Sequence, residues 1–253
     1  MDRLDASAIV APGVEVRVLE RCSSTNDLLL AEAPNARVLL ASEEQTAGRG
    51  RRGRRWHSPP GAGVTFSLST IVARPARELP GLALVAGVAT VRALRGSEVT
   101  RAALKWPNDL VVDGAKLGGI LVETRAAHGA SLAVIGIGIN CRRDASLGRR
   151  LRREVAALDE FMPSPDRNAL ISRIATELVH ALDTFSALGL APLAREWERL
   201  DAHAGQRLRV RLADGRVLTG IARGLADDGG LRLLTAKGMR AVTSGRVLSA
   251  RPA

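Results

Sequence analysis

A run of short segments with period-two alternation, several of them in succession with no helical stretch between, puts a β-sheet at the centre of this chain. Residues 14–20 (VEVRVLE), 37–42 (RVLLAS), 64–72 (VTFSLSTIV), 102–106 and 131–139 (SLAVIGIGI) read as strands. Asp113-Gly114 is a hairpin signal separating 109–112 from 117–124. Strands linked in this way form a largely antiparallel or mixed sheet, with helices expected on one side. Ser24 and Asp27 before Leu28-Leu29-Leu30 mark the start of a short helix, with Asp in place of the usual Glu. Residues 79–95 are apolar and Ala-rich and read as a buried helix, while 168–188 and 192–200 carry helical spacing. The pattern changes near Asp201. Residues 206–250 become short strands broken by Asp214-Gly215, Asp228-Gly229-Gly230 and Gly238, as in a small β-barrel of about five strands. Two domains are therefore expected, 1–200 and 201–253. Residues 142–154 are Arg-rich and expected at the surface.

Hydrophobic residues make up 46% of the 253, enough for a packed core, but aromatics are only 2%, so Leu, Val, Ala and Ile must build it. A net charge of +11 calls for an anionic partner: nucleic acid, nucleotide, membrane surface or acidic protein. All but three of the 37 basic residues are arginine. A lysine in such a chain hints at a site that wants a compact ammonium, and two of the three, Lys105 and Lys116, fall in one short segment. Cys22 and Cys141 have neither disulfide-framework nor zinc-site spacing. There is no signal-peptide pattern and no run near the ~18 apolar residues of a membrane span, so a soluble, cytosolic protein is expected.

Four segments carry chemistry. In Gly48-Arg49-Gly50-Arg51-Arg52-Gly53-Arg54-Arg55-Trp56, glycines let backbone N–H groups approach a ligand, and mutually repelling arginines should order only when an anion bridges them. That is the profile of a loop closing over a phosphate-bearing ligand; it also fits a generic nucleic-acid or acidic-surface contact. A Walker-type Gly-Lys-Ser/Thr is absent. In Lys105-Trp106-Pro107-Asn108-Asp109 with Lys116-Leu117-Gly118-Gly119-Ile120-Leu121-Val122-Glu123, Lys116 follows a tight turn on a strand whose glycines clear space beside it. An ammonium held there suits a carboxylate attacking an α-phosphate, with Asp109 orienting Lys116 or holding Mg²⁺; an ordinary hairpin with exposed charges fits as well. Ser23-Ser24-Thr25-Asn26 is a helix start whose free N–H groups suit a polar ligand group. The small residues of Gly136-Ile137-Gly138-Ile139-Asn140 admit a flat ligand, with Asn140 at the end of the strand. His57 reads as a loop residue, and no Ser-His-Asp or Cys-His arrangement is apparent.

Taken in this order, Ser24-Thr25-Asn26, Gln45 to Gly53, Lys105 to Asp109, Lys116 to Glu123 and Gly138-Ile139-Asn140 resemble the biotin–protein ligase family, over roughly residues 20–253. The resemblance implies an α+β fold: a class II aminoacyl-tRNA synthetase-like biotin ligase catalytic domain with a central mixed β-sheet, plus a C-terminal SH3-like β-barrel. It implies a two-step reaction, in which biotin and Mg-ATP give biotinyl-5′-AMP and an acceptor lysine then takes the biotinyl group. It assigns the chemistry to Lys116, Arg51 and Asp109, with Asp109 as the Mg²⁺ candidate. Biotin falls to Ser24, Thr25, Asn26, Gln45, Gly48, Arg49, Gly50, Arg51, Lys116, Gly118 and Gly119. The adenylate falls to Arg51, Arg52, Arg54, Trp56, Asn108, Lys116 and Asn140.

The implied partner is a biotin carboxyl carrier domain of acetyl-CoA carboxylase or a related carboxylase; a homodimer stays open, and neither specific DNA nor a membrane is expected. Many family members begin with a winged-helix DNA-binding domain. Only 23 residues precede the first motif here, too few for one, so a repressor role is not expected. Two rivals remain: a lipoate or octanoate ligase or transferase, expected to show an Arg-Arg-x-Ser-Gly-Gly-Gly loop or a Cys-Lys pair, and a non-catalytic nucleic-acid-binding protein, which the scarcity of aromatics disfavours.

Overall fold

The computed structural model describes residues 3–127, 129–144, 148 and 154–253. Seven strands form the main sheet: β1 (Glu15–Cys22), β2 (Val38–Gln45), β3 (Gly63–Val72), β4 (Ala102–Lys105), β5 (Asp109–Val112), β6 (Ala115–Ala127) and β7 (Ala130–Asn140). Their order is β1-β2-β3-β7-β6-β5-β4. Only β1 and β2 run parallel, and a parallel pair needs a crossover. Helix α1 (Thr25–Glu32) provides it. Asp113 and Gly114, both at positive φ (50° and 83°), make the tight turn between β5 and β6.

Helices α2 (Leu82–Arg95), α3 (Arg167–Leu188) and α4 (Ala191–Leu200) pack together against one face, and the main core lies between them and the sheet. The expectation of helices on one side fails for α1. Leu29 of α1 covers the opposite face with Val38, Leu40, Leu132 and Val134 in a separate small core. The first six residues of β2 are buried, so this strand needs cover on both faces and alternation alone understates its burial. Strand β2 also runs to Gln45, which places that residue on the rigid sheet, not in the loop that follows.

The C-terminal segment forms a five-stranded antiparallel sheet of β8 (Arg207–Leu212), β9 (Val217–Leu225), β10 (Leu231–Thr235), β11 (Gly238–Val242) and β12 (Gly245–Arg251), in the order β11-β10-β9-β8-β12. No β11–β12 ladder forms among the described residues, so the sheet is open at that seam. It docks on the end of β4: Ala202 N donates to Leu104 O (2.8 Å), and the buried Trp106 donates its indole N–H to Gly229 O (3.2 Å). Residues 145–147 and 149–153 of the Arg-rich stretch lie outside the described residues. Among the described residues no helix is long and apolar enough to cross a membrane.

Candidate active site

A cleft of about 360 Å³ opens between the Gly-Arg loop, strands β6 and β7, and the edge of the C-terminal sheet. One end is lined by hydroxyls and amides. Ser24 caps α1, its Oγ accepting from Asp27 N (3.4 Å), as its spacing predicts. Thr25 follows in the first turn, and its backbone N–H donates to Gln45 Oε1 (2.8 Å). The Thr25 hydroxyl lies 2.7 Å from that of Ser67 on β3, and Ser67 donates to Asn26 Oδ1 (2.6 Å). Asn26 Nδ2 donates to Glu123 (2.9 Å) and to Leu121 O (3.3 Å). Thr25, Asn26 and Ser67 are all buried, and such groups are costly unless paired. The amide protons of Gln45 have no partner among the described residues, which leaves them as donors at the cleft wall.

The glycines of β7 do not form an open slot for a flat ligand. A Cβ on Gly136 would stand 2.3 Å from Asn26 Oδ1, and one on Gly138 would stand 2.4 Å from the Trp56 ring. Their missing side chains make room for Asn26 and Trp56, which then face the cleft. Trp56 Nε1 is buried without a hydrogen-bond partner among the described residues, an orphan donor at the wall of an open cleft.

The other end is cationic. The Gly-Arg loop forms a small hairpin: Trp56 N donates to Gly48 O (2.9 Å) and Gly50 N to Arg54 O (2.7 Å), with Arg52 and Gly53 at positive φ around the tip. Backbone bonds and two protein carboxylates hold the loop in this arrangement, in addition to the anion its arginines are expected to bridge. Arg49 pairs with Asp27 and with Glu123 (2.8 Å). Arg51 reaches into the cleft, its Nη1 3.4 Å from Asn108 Oδ1, with no carboxylate in ion-pair contact among the described residues. Burial, then the neighbouring Arg52, pulls its guanidinium below the ordinary value, against Asp109. Arg52 touches Ser244 Oγ (3.4 Å), and Arg54 and, from the C-terminal sheet, Arg246 complete this end.

Lys116 lies between β5 and the segment at Val155, its N–H donating to Glu154 O (3.1 Å) and its carbonyl accepting from Ala156 N (2.9 Å). Its ammonium pairs with Asp109. Gly119 leaves it room, since a Cβ there would lie 3.2 Å from Nζ. Asn108 is anchored to β6 by Nδ2 donating to Ile120 O (2.6 Å).

The cleft thus gathers Ser24, Thr25, Asn26, Gln45, Arg49, Gly50, Arg51, Arg52, Arg54, Trp56, Asn108, Asp109, Lys116 and Gly119. Three other expected residues stand behind its wall. Gly48 supports the Trp56 carbonyl, and Gly118 lies under Gly138 O. Asn140 donates to Lys116 O (3.4 Å) and Ala156 O (3.1 Å), bracing the backbone that carries Lys116. Sequence reasoning missed Ser67, the pairing of Asp27 and Glu123 with Arg49, and Arg246. Ser67 had a signal in the row of small hydroxyls at Thr65, Ser67 and Ser69 on one face of β3, whereas Arg246 had none.

The fold thus carries a cleft with polar donors at one end and exposed or partly buried cations at the other, an arrangement suited to a ligand with a polar head and an anionic tail. Residues 18–140 match the biotin/lipoate A/B protein ligase family, and residues 203–248 match the biotin protein ligase C-terminal domain. The chain is 37% identical to the bifunctional ligase/repressor BirA of Escherichia coli, over 87% of this chain and 70% of that protein. It is 33% identical to the biotin–[acetyl-CoA-carboxylase] ligase of Mycobacterium tuberculosis, over 87% and 83%. The biotin protein ligase of Aquifex aeolicus, solved with biotin and ATP, superposes with a TM-score of 0.80 at 27% identity, covering 94% of this chain and 99% of that one. The chain belongs to the biotin/lipoate A/B protein ligase family.

Proposed function

We infer that this chain works as a biotin–[acetyl-CoA-carboxylase] ligase, joining biotin to AMP and passing the biotinyl group to a lysine of a biotin carboxyl carrier domain. The observation that carries this reading is that the Thr25–Gln45 end and the Arg51–Lys116 end open into one cleft. The ureido ring of biotin has a carbonyl and two N–H groups, which match hydroxyl and amide side chains. Lipoate and octanoate have apolar tails with no use for such partners, so the polar end favours biotin. The Aquifex relative, with biotin and ATP bound, supports the same pair of ligands.

In the first step a biotin carboxylate oxygen attacks the α-phosphorus; the C–O–P bond forms, the α–β anhydride bond breaks, and pyrophosphate leaves. Negative charge accumulates on both partners, and Lys116 and Arg51 are placed to stabilise it. Magnesium enters with ATP as Mg-ATP. Asp109, paired with Lys116, orients its ammonium and is a carboxylate at this end placed to meet the metal. Trp56 offers its ring to the adenylate. In the second step the neutral lysine amine of the acceptor attacks the anhydride carbonyl, the C–N bond forms and AMP leaves. No protein nucleophile is required, and holding the partners in register supplies much of the rate. The need for ATP sets the reaction in the cytoplasm.

Incubation with Mg-ATP, biotin and a carboxyl carrier domain should add the mass of one biotinyl group to a single lysine. An adduct formed with lipoate or octanoate but not with biotin would overturn the assignment.

A further inference from the structure

We propose that Glu123, assisted by Asp27, is a positioning residue that ties the Gly-Arg loop to the head-group end of the cleft, so that loop closure and head-group recognition become a single event. The proposal rests on the biotin reading above and extends it to residues that touch no substrate. One carboxylate oxygen, Glu123 Oε2, accepts from Arg49 Nη2 at 2.8 Å and from Asn26 Nδ2 at 2.9 Å. Arg49 belongs to the loop and Asn26 to the first turn of α1. From Asn26 the connection runs through Ser67 (2.6 Å) to Thr25 (2.7 Å) and from Thr25 to Gln45 (2.8 Å). Gly136 keeps the space in which Asn26 makes these bonds. Asp27, next in sequence, holds the same Arg49 nitrogen from the other side.

A displacement of the loop therefore pulls on the groups that meet the ligand's polar ring. The Arg49, Asp27 and Glu123 side chains are 41%, 44% and 25% exposed, and ion pairs this open to solvent add little to global stability, so the Arg49 pairings are not accounted for by a scaffold role. A mixed anhydride hydrolyses in water, so a loop coupled to head-group binding retains the intermediate while the head group is seated.

Glu123→Gln keeps the acceptor for Asn26 and removes the charge facing Arg49. It should raise KM for biotin roughly tenfold and shorten the lifetime of enzyme-held biotinyl-adenylate by about the same factor. The rate at saturating biotin should fall less than about threefold, with the melting temperature unchanged. Asp27→Asn should move the same two quantities less. Arg49→Gln combined with Glu123→Gln should be no worse than the poorer single variant, because both break one link. An adenylate lifetime equal to wild type in Glu123→Gln, or additive losses in the double variant, would overturn the latch. Tighter biotin binding by Glu123→Gln would overturn it too, since the carboxylates would then be competing with the ligand for Arg49. Failure of the wild-type chain, run alongside, to form any adenylate would defeat the ligase reading itself.

Discussion

The two ends of the cleft handle polarity in opposite ways. At the hydroxyl–amide end, Thr25, Asn26, Ser67 and Glu123 satisfy one another, and the amide protons of Gln45 remain for a ligand. That end is held together by bonds within the protein. At the cationic end, Arg51 is half-buried beside Arg52, and neither has a carboxylate in ion-pair contact among the described residues. Partial burial of a charge without a counter-ion in contact is unfavourable, so an arriving anion lowers the free energy of this end. One end recognises by a fixed shape, whereas the other stores an electrostatic demand that ATP meets.

If this contrast holds, variants at the two ends should fail differently. The largest loss belongs to Lys116→Ala. It removes a cation that acts mainly as charge builds in the transition state and should slow pyrophosphate exchange into ATP by about a hundredfold or more. Exchange at the wild-type rate would remove Lys116 from the chemistry. Arg51→Ala comes next, with biotin and adenylate retained about tenfold less well. Because it also removes a partly buried charge with no carboxylate in contact, thermal melting of the ligand-free protein should be unchanged or higher, a combination that a scaffold residue would not give. Thr25→Val is smaller: loss of one hydroxyl should cost about 1–2 kcal/mol, or roughly 5–30-fold in KM for biotin, with KM for ATP nearly constant. Equal rises in both constants would show that the Thr25 hydroxyl serves ATP as much as biotin and is not specific to the head-group end.

The same contrast explains what was legible in the sequence. The cationic end declared itself through local composition, because a Gly-Arg run at 48–55 and two of the chain's three lysines at 105 and 116 are each unusual. The strands did so as well, since alternation is a local signal; the Asp113-Gly114 turn fell where its residue types predicted. The hydroxyl–amide end was only half visible. Thr25 and Asn26 stood out beside a helix cap, but Ser67 lies some forty residues away on a strand where small hydroxyls also satisfy simple alternation. Its partnership exists only after β2, β3 and β7 have paired. Glu123 ended a quoted motif without a role, because its partners Arg49 and Asn26 come from two other elements. Asn140 was expected at the nucleotide, and its amide nitrogen also braces the Lys116 backbone, a role the sequence did not suggest. A side-chain amide at a strand end serves either purpose, and only the position of segment 154–156 reveals the second.

A smaller effect tests whether uncompensated burial is peculiar to the cleft. Below the cationic end, where Leu104 pairs with Asp201, burial pushes the Asp201 carboxyl up to about 6. Two residues on, burial and then the Lys105 ammonium hold the His203 imidazole down to about 4. The raised carboxyl adds stability that is complete below its ordinary value of 3.8 and is lost as pH rises through about 6. The depressed imidazole adds stability present above 6.5 and lost as pH falls through about 4. Between pH 4 and 6 the two therefore oppose each other in the wild type. Asp201→Asn leaves His203 alone, so its advantage over wild type should grow from pH 4 to pH 6 and then level off. An amide oxygen still accepts from His203 N (3.0 Å in the wild type) but itself needs solvating, so the plateau should be on the order of 1 kcal/mol in chemical denaturation. Ligase turnover should not change, because Asp201 faces the domain junction and not the cleft. A loss of turnover alongside the gain in stability would mean that the unfavourable burial at the junction is functional as well, and the distinction between cleft and scaffold would have to be redrawn.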